Sequence, residues 1–163
     1  MIQPTSGEVL FEGGASQSPR GALGVVPQKN VLFPELTCLE TLRLWSAIKG
    51  DVGKPREDLE DLLRDCDLDT KVHSLAGTMS GGQKRKLQLA IGLVGGSKGG
   101  QNLDTSETVA LTCHFPVLLV DECTTGVDPL SRRAIWKTLT TYRNERTIIF
   151  TTHVGLSFIY LFE

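Results

Sequence analysis

The sequence predicts an α/β fold built on a parallel sheet, and two observations carry that prediction. Val117 to Val120 and Thr147 to Thr152 are continuous apolar or β-branched runs of strand length, the pattern of strands buried on both faces of a parallel sheet. Between them Pro129 stands where it opens a helix, and Ile135, Trp136 and Leu139 give that helix an apolar stripe through Tyr142. Strand, helix, strand implies a right-handed parallel crossover.

The remaining elements follow in chain order. Pro4 to Gly7 is turn chemistry, Glu8 to Phe11 reads as a short strand ended by Gly13-Gly14, and Leu23 to Val26 reads as another, closed by Pro27. Thr37 is placed to cap a helix in which Leu39, Leu42, Trp45 and Ile48 recur at helical spacing until Gly50. Leu59, Leu62, Leu63 and Cys66 mark a second amphipathic helix. After the turn Met79-Ser80-Gly81-Gly82, residues Gln83 to Val94 suit a largely buried helix stopped by Gly95-Gly96. The region from about Thr37 to Gly96 is therefore mostly helical and is expected to form its own subdomain.

Composition narrows the function classes. With 163 residues and 40% hydrophobic side chains, the chain can bury one core. Seventeen basic residues against nineteen acidic ones give a net charge of -2, so no global field favours nucleic acid or an anionic membrane. The four cysteines lack both zinc-site pairing and the density of a disulfide scaffold, which makes free thiols the expectation. No apolar run reaches the roughly 18 residues that span a bilayer.

Chemistry concentrates at a few points. Asp121 and Glu122 follow a buried strand, at the edge where open α/β sheets bind ligands. Successive strand residues point to opposite faces, so the two carboxylates divide their labour unless the chain turns there; one can hold a metal while the other handles water. A solvated strand end is the plainer alternative. Ser80-Gly81-Gly82-Gln83 places a hydroxyl and small residues before a helix, where free N–H groups and the helix dipole attract phosphate, although an ordinary N-cap has the same sequence. His153 follows a buried strand and a Thr-Thr pair, from which an imidazole can reach the same sheet edge, and Gln28 follows Val25-Val26-Pro27; taken singly, a histidine is more often structural and a glutamine there reads equally as a loop amide.

The order Gln28, Met79-Ser80-Gly81-Gly82-Gln83, Asp121-Glu122, Gly126-Val127-Asp128-Pro129, His153 resembles the Q-loop, signature, Walker B, D-loop and H-loop of the ATP-binding cassettes of ABC transporters. The flanks, M-S-G-G-Q-K-R-K-L-Q-L-A-I-G-L from Met79 and Ser131 to Trp136, look most like the A subfamily, which mainly moves lipids. The resemblance implies a P-loop NTPase-like parallel sheet core with a helical signature subdomain, and ATP with Mg2+ as cofactors. It implies that Glu122 polarises the attacking water, that His153 contacts the γ-phosphate, and that Asp121 and Gln28 serve the magnesium. Ser80, Gly81, Gly82, Gln83 and Asp128 join the nucleotide site, with Ser80 and Gly82 contacting ATP held by a partner cassette. The implied partners are a second nucleotide-binding domain and the transmembrane domains of a transporter, with the cassette on the cytoplasmic side; no nucleic acid is expected.

The sequence also departs from the family. The resemblance places the loop G-x-x-x-x-G-K-[ST] ahead of Pro4, and Gly53-Lys54-Pro55 does not replace it, since it lacks the first glycine and ends in proline. Residues 1–163 are thus expected to be a partial cassette, incomplete at both ends, that binds ATP weakly by itself and whose activity alone is doubtful. Cys123 stands where the family usually has proline, Thr125 replaces a serine, and Met79 replaces a leucine. Gly99 to Phe115 is a polar insertion longer than compact domains usually carry, and Val154 to Glu163 abandons the family's acidic helix; both are candidate intron-derived sequence, which transcript sequencing tests. Two further readings stay open. One is a non-catalytic module that supplies the signature in trans to an intact cassette; the other is a soluble ABC ATPase of translation or DNA repair, disfavoured by the flanks and the lack of basic patches.

Overall fold

The computed structural model describes Ser6 and residues 23–49, 56–94, 117–144 and 146–151. The expected strand at Glu8 to Phe11, the turns at Gly53-Lys54-Pro55 and Gly95-Gly96, the insertion from Gly99 to Phe115, His153 and the segment from Val154 onward lie outside the described residues.

Three strands, β1 (Leu23–Val26), β2 (Val117–Asp121) and β3 (Thr147–Thr151), form a parallel sheet in that spatial order. Among the described residues four α-helices accompany it: α1 (Cys38–Ile48), α2 (Arg56–Asp65), α3 (Gly81–Leu93) and α4 (Pro129–Tyr142). The register places Val25, Leu119 and Ile149 in one row and Val26, Val120 and Phe150 in the next. Side chains of neighbouring rows point to opposite faces. Val26, Val120 and Phe150 are buried, whereas Val25 and Ile149 are each 47% exposed, so only one face of the sheet is fully covered by the described residues.

That covered face meets α3, the helix at the centre of the core. Its residues Arg85 to Leu93 are all buried. Glycines at the crossing allow the close approach: a Cβ on Gly24 of β1 would lie 2.2 Å from the Gly92 carbonyl oxygen, and one on Gly92 would lie 2.5 Å from a Val26 methyl. Either contact is far inside van der Waals range, so a larger residue would push helix and strand apart and open a cavity in the core. α3 begins at Gly81, two residues before the apolar pattern starts, because Ser80 caps it and draws the two glycines into the first turn.

The other helices pack around this axis. Thr37 caps α1 as expected, in a capping box with Glu40: the Glu40 N–H donates to the Thr37 hydroxyl, and the Glu40 carboxylate accepts from the Thr37 N–H. The Thr37 N–H, and then the Thr37 hydroxyl, donate to that carboxylate and hold the Glu40 carboxyl below its ordinary pKa. Leu39 and Leu42 are buried, but Ile48, which the spacing assigns to the same stripe, is 61% exposed. At that end Lys49 makes the contact instead, its ammonium donating to the carbonyls of Ile91, Gly92 and Val94 at the end of α3. Leu62, Leu63 and Cys66 of the second amphipathic stretch are buried as expected. α4 joins α2 through the Tyr142 hydroxyl, which donates to Asp65 at 2.7 Å, and through Thr138, which donates to the Asp65 carbonyl.

Candidate functional site

The strand β2 ends at Asp121, and the chain turns at the next residue. Glu122 has φ 46°, in the left-handed region, which costs a non-glycine residue about 1–2 kcal/mol unless its surroundings hold it. The turn breaks the alternation of the strand, and the two carboxylates separate. Asp121 stays exposed and accepts from the Thr151 hydroxyl of β3 at 2.6 Å. Glu122 is buried to 8% exposure, and its Oε2 accepts from the side-chain amide of Gln28 at 2.8 Å. Gln28 lies just beyond the end of β1, so two residues 94 positions apart meet at the same sheet edge. The Thr125 hydroxyl lies 3.5 Å from the same Glu122 oxygen, and the Glu122 N–H donates to the Thr151 carbonyl.

A residue that pattern reasoning left out ties this edge together. Arg85, in the second turn of α3, is 4% exposed. Its Nε donates to the Cys123 carbonyl and its Nη2 to the Asp121 carbonyl, both at 2.9 Å. Nη1 serves the carbonyls of Pro27 and Gln28 and the side-chain oxygen of Asn30. Burial lowers its pKa from the ordinary arginine value. The signal was present in the sequence: Arg85 precedes Leu89 by four residues, which puts a cation on the buried face of an apolar helix. Cys123, where the resembled family has proline, has a fully buried thiol whose pKa burial pushes up to about 12, which makes it a small apolar filler.

The signature residues cluster at the other end of this region. Ser80 caps α3: its hydroxyl accepts from the Gln83 N–H at 3.3 Å, while the Gln83 side chain accepts from the Ser80 N–H at 3.0 Å. The two glycines differ. Gly81 is exposed, and a Cβ there would meet nothing within 4 Å; a Cβ on Gly82 would lie 2.3 Å from the Ser131 hydroxyl and 2.8 Å from an Asp128 carboxylate oxygen. Gly82 therefore packs against the N-terminus of α4, where Asp128 is the N-cap and accepts from the Ser131 N–H at 2.9 Å. That bond holds the Asp128 carboxyl below its ordinary pKa.

The structure thus brings Gln28, Asp121 and Glu122 to one edge, and Ser80, Gly81, Gly82, Gln83 and Asp128 to a second cluster. Arg85 lies on the helix that starts in the second cluster and reaches the first. As oxygen donors, the Asp121 carboxylate and the Gln28 amide suit Mg2+, which takes few protein ligands and keeps its waters. Among the described residues no group of three or more His, Cys, Asp or Glu side chains forms a metal cage. No helix among the described residues is long and apolar enough to cross a membrane.

Comparison with known proteins gives a consistent result. A family model described as ABC transporter matches residues 1–98. An ABC transporter A family member 2 from Dictyostelium discoideum is 37% identical over 94% of this chain, which is 9% of that protein. A retinal-specific phospholipid-transporting ATPase from Homo sapiens is also 37% identical over 94% of this chain, 6% of its own length. This chain therefore spans under a tenth of the curated relatives it matches. Among solved structures, an ABC transporter ATP-binding protein from Pyrococcus furiosus superposes with a TM-score of 0.73 at 16% identity, over 96% of this chain and 69% of that one. A bacterial Atm1-family ABC exporter with ATP bound gives 0.59 at 23% identity, over 82% of this chain and 21% of the exporter. These structural matches establish the P-loop cassette fold, and the sequence matches point to the A subfamily.

Proposed function

The chain belongs to the ABC transporter family, and from that premise we propose that it is part of a cassette that couples ATP hydrolysis to transport, of lipid in the complete protein. The observation that carries the proposal is the 2.8 Å bond between Gln28 and Glu122 beside an exposed Asp121 at the carboxyl edge of a parallel sheet. Mg-ATP, when bound, supplies the phosphoryl group and the charge that neutralises it.

Each residue then has a task set by its position. Glu122 is the general base or water-positioning group. Its carboxylate is buried, and its left-handed backbone aims it away from Asp121, so it faces the Gln28 amide. Asp121, oriented by Thr151, serves the magnesium shell. Gln28 completes that shell and, because it pairs with Glu122, reports to the hydrolytic carboxylate whatever moves the segment after β1. His153 is proposed for the γ-phosphate. Ser80, Gly81, Gly82, Gln83 and Asp128 form the face offered to ATP on a second cassette, for which the open space over Gly81 leaves room. Phosphoryl transfer asks the protein for positioning and charge stabilisation more than covalent chemistry, and this division of labour provides both. On this reading the domain lies on the cytoplasmic side of a membrane, beside transmembrane domains.

The test is Glu122→Gln in a cassette completed with a phosphate-binding loop. The amide keeps the shape and still accepts from Gln28, so folding is unchanged. Groups of this kind contribute about 10²–10⁴-fold to rate, and hydrolysis is expected to fall at least about tenfold. Normal turnover would remove Glu122 from the mechanism.

A further inference from the structure

We propose that Arg85 is a positioning residue that sets the distance between Gln28 and Glu122, and thereby couples the N-terminal end of the signature helix to the hydrolytic pair. The inference rests on the reading of Gln28 and Glu122 as that pair.

The geometry is specific. Arg85 bonds the carbonyls of Asp121 and Cys123, which bracket Glu122 in sequence, and the carbonyls of Pro27 and Gln28, which bracket the start of the turn carrying the amide. One rigid planar group thus spans the two segments that the Gln28–Glu122 bond also joins. Arginine suits the task and lysine does not, because five donors in a fixed fork meet separate acceptors at set angles, while an ammonium offers three donors from a point. The guanidinium also holds Glu122 in its left-handed conformation from both sides. Arg85 acts on Glu122 through the main chain, by way of the carbonyls on either side of it. Because it lies one turn beyond Gly82, a displacement of the α3 N-terminus moves the guanidinium, and with it the spacing of the pair.

The experiment reads geometry and needs no turnover. In ¹H–¹⁵N spectra of the unmodified chain, the Gln28 side-chain amide is expected to respond to its charged acceptor by a displaced proton shift, and Glu122→Gln, which leaves a neutral acceptor, assigns that response and reduces it. Arg85→Lys and Arg85→Gln, checked for a native circular dichroism spectrum, are expected to lose the response while Glu122 is still present. A folded Arg85→Lys chain that keeps the full Gln28 response would overturn the proposal. Should neither variant fold, the unmodified chain decides it: a guanidinium held by five acceptors gives separate, slowly exchanging Nη resonances, and averaged Nη signals would overturn the proposal. The hydrolysis assay on Glu122→Gln tests the reading of the site by a different readout, so the two can fail separately.

Discussion

The two ends of α3 solve the same problem by opposite means. At the N-terminus, Ser80 and Gln83 satisfy each other's backbone groups across three residues, and the end stays exposed. At the C-terminus, the carbonyls of Ile91, Gly92, Leu93 and Val94 face donors from far along the chain: Lys49 takes three of them and Arg146 takes Leu93 at 2.7 Å. Four carbonyls at a helix end lack intrahelical partners. Where water reaches the end, a short local motif suffices; in the core, each unpaired carbonyl is costly, and the negative end of the dipole favours cations. The difference separates a buried end, held by distant cations, from an exposed one that caps itself.

The comparison breaks most easily at the buried end. Arg146 is 7% exposed and its guanidinium also lies 5.7 Å from the centre of the Tyr142 ring. Arg146→Met keeps the bulk of the stem but strips the Leu93 carbonyl of its charged donor, and is expected to cost about 3 kcal/mol. Urea unfolding measures it. A loss under about 1 kcal/mol would mean that Lys49 or water serves that carbonyl, and the two ends would be less different than they look.

The adjacent glycines sharpen the contrast within a single turn. Gly82→Ala forces a methyl into the Asp128–Ser131 cap and is expected to destabilise the chain by about 2 kcal/mol. Gly81→Ala meets open space and gains helix propensity, so its effect should lie between zero and a gain of about 1 kcal/mol. Equal losses at both positions, in thermal melts of the two variants, would show that the first turn is packed on all sides.

Much of this was legible in the sequence where the determinants are local. The Thr37 cap, the strand at Leu23 to Val26 and the buried character of Gln83 to Val94 follow from residues within one or two turns of each other. Ile48 was misplaced because helical spacing says which residues share a face and not how far the partner surface extends. The turn at Glu122 was unreadable from alternation, since a left-handed residue that is not glycine leaves no mark of its own. The position of Arg85 on a buried helix face was readable, but its acceptors were not, and Lys49 and Arg146 escaped for the same reason: they act on carbonyl groups, which every residue carries, so nothing in the sequence of the acceptor announces the bond.

The smallest effect separates structure from function at the open end. Ser80→Ala removes the cap and is expected to cost about 1 kcal/mol, the ordinary value for such a change. Ser80→Asp should restore most of that stability, because aspartate caps a helix as well as serine does and its charge suits the positive end of the dipole. The two variants diverge in the presence of a partner. If Ser80 contacts the triphosphate on a second cassette, a carboxylate there repels it, and ATP-dependent pairing with an intact cassette falls in Ser80→Asp although the fold is as stable as the parent. Melting curves and sedimentation with and without Mg-ATP provide both readings. Pairing that tracks stability, lost in the alanine variant and kept in the aspartate one, would make Ser80 a helix cap and nothing more.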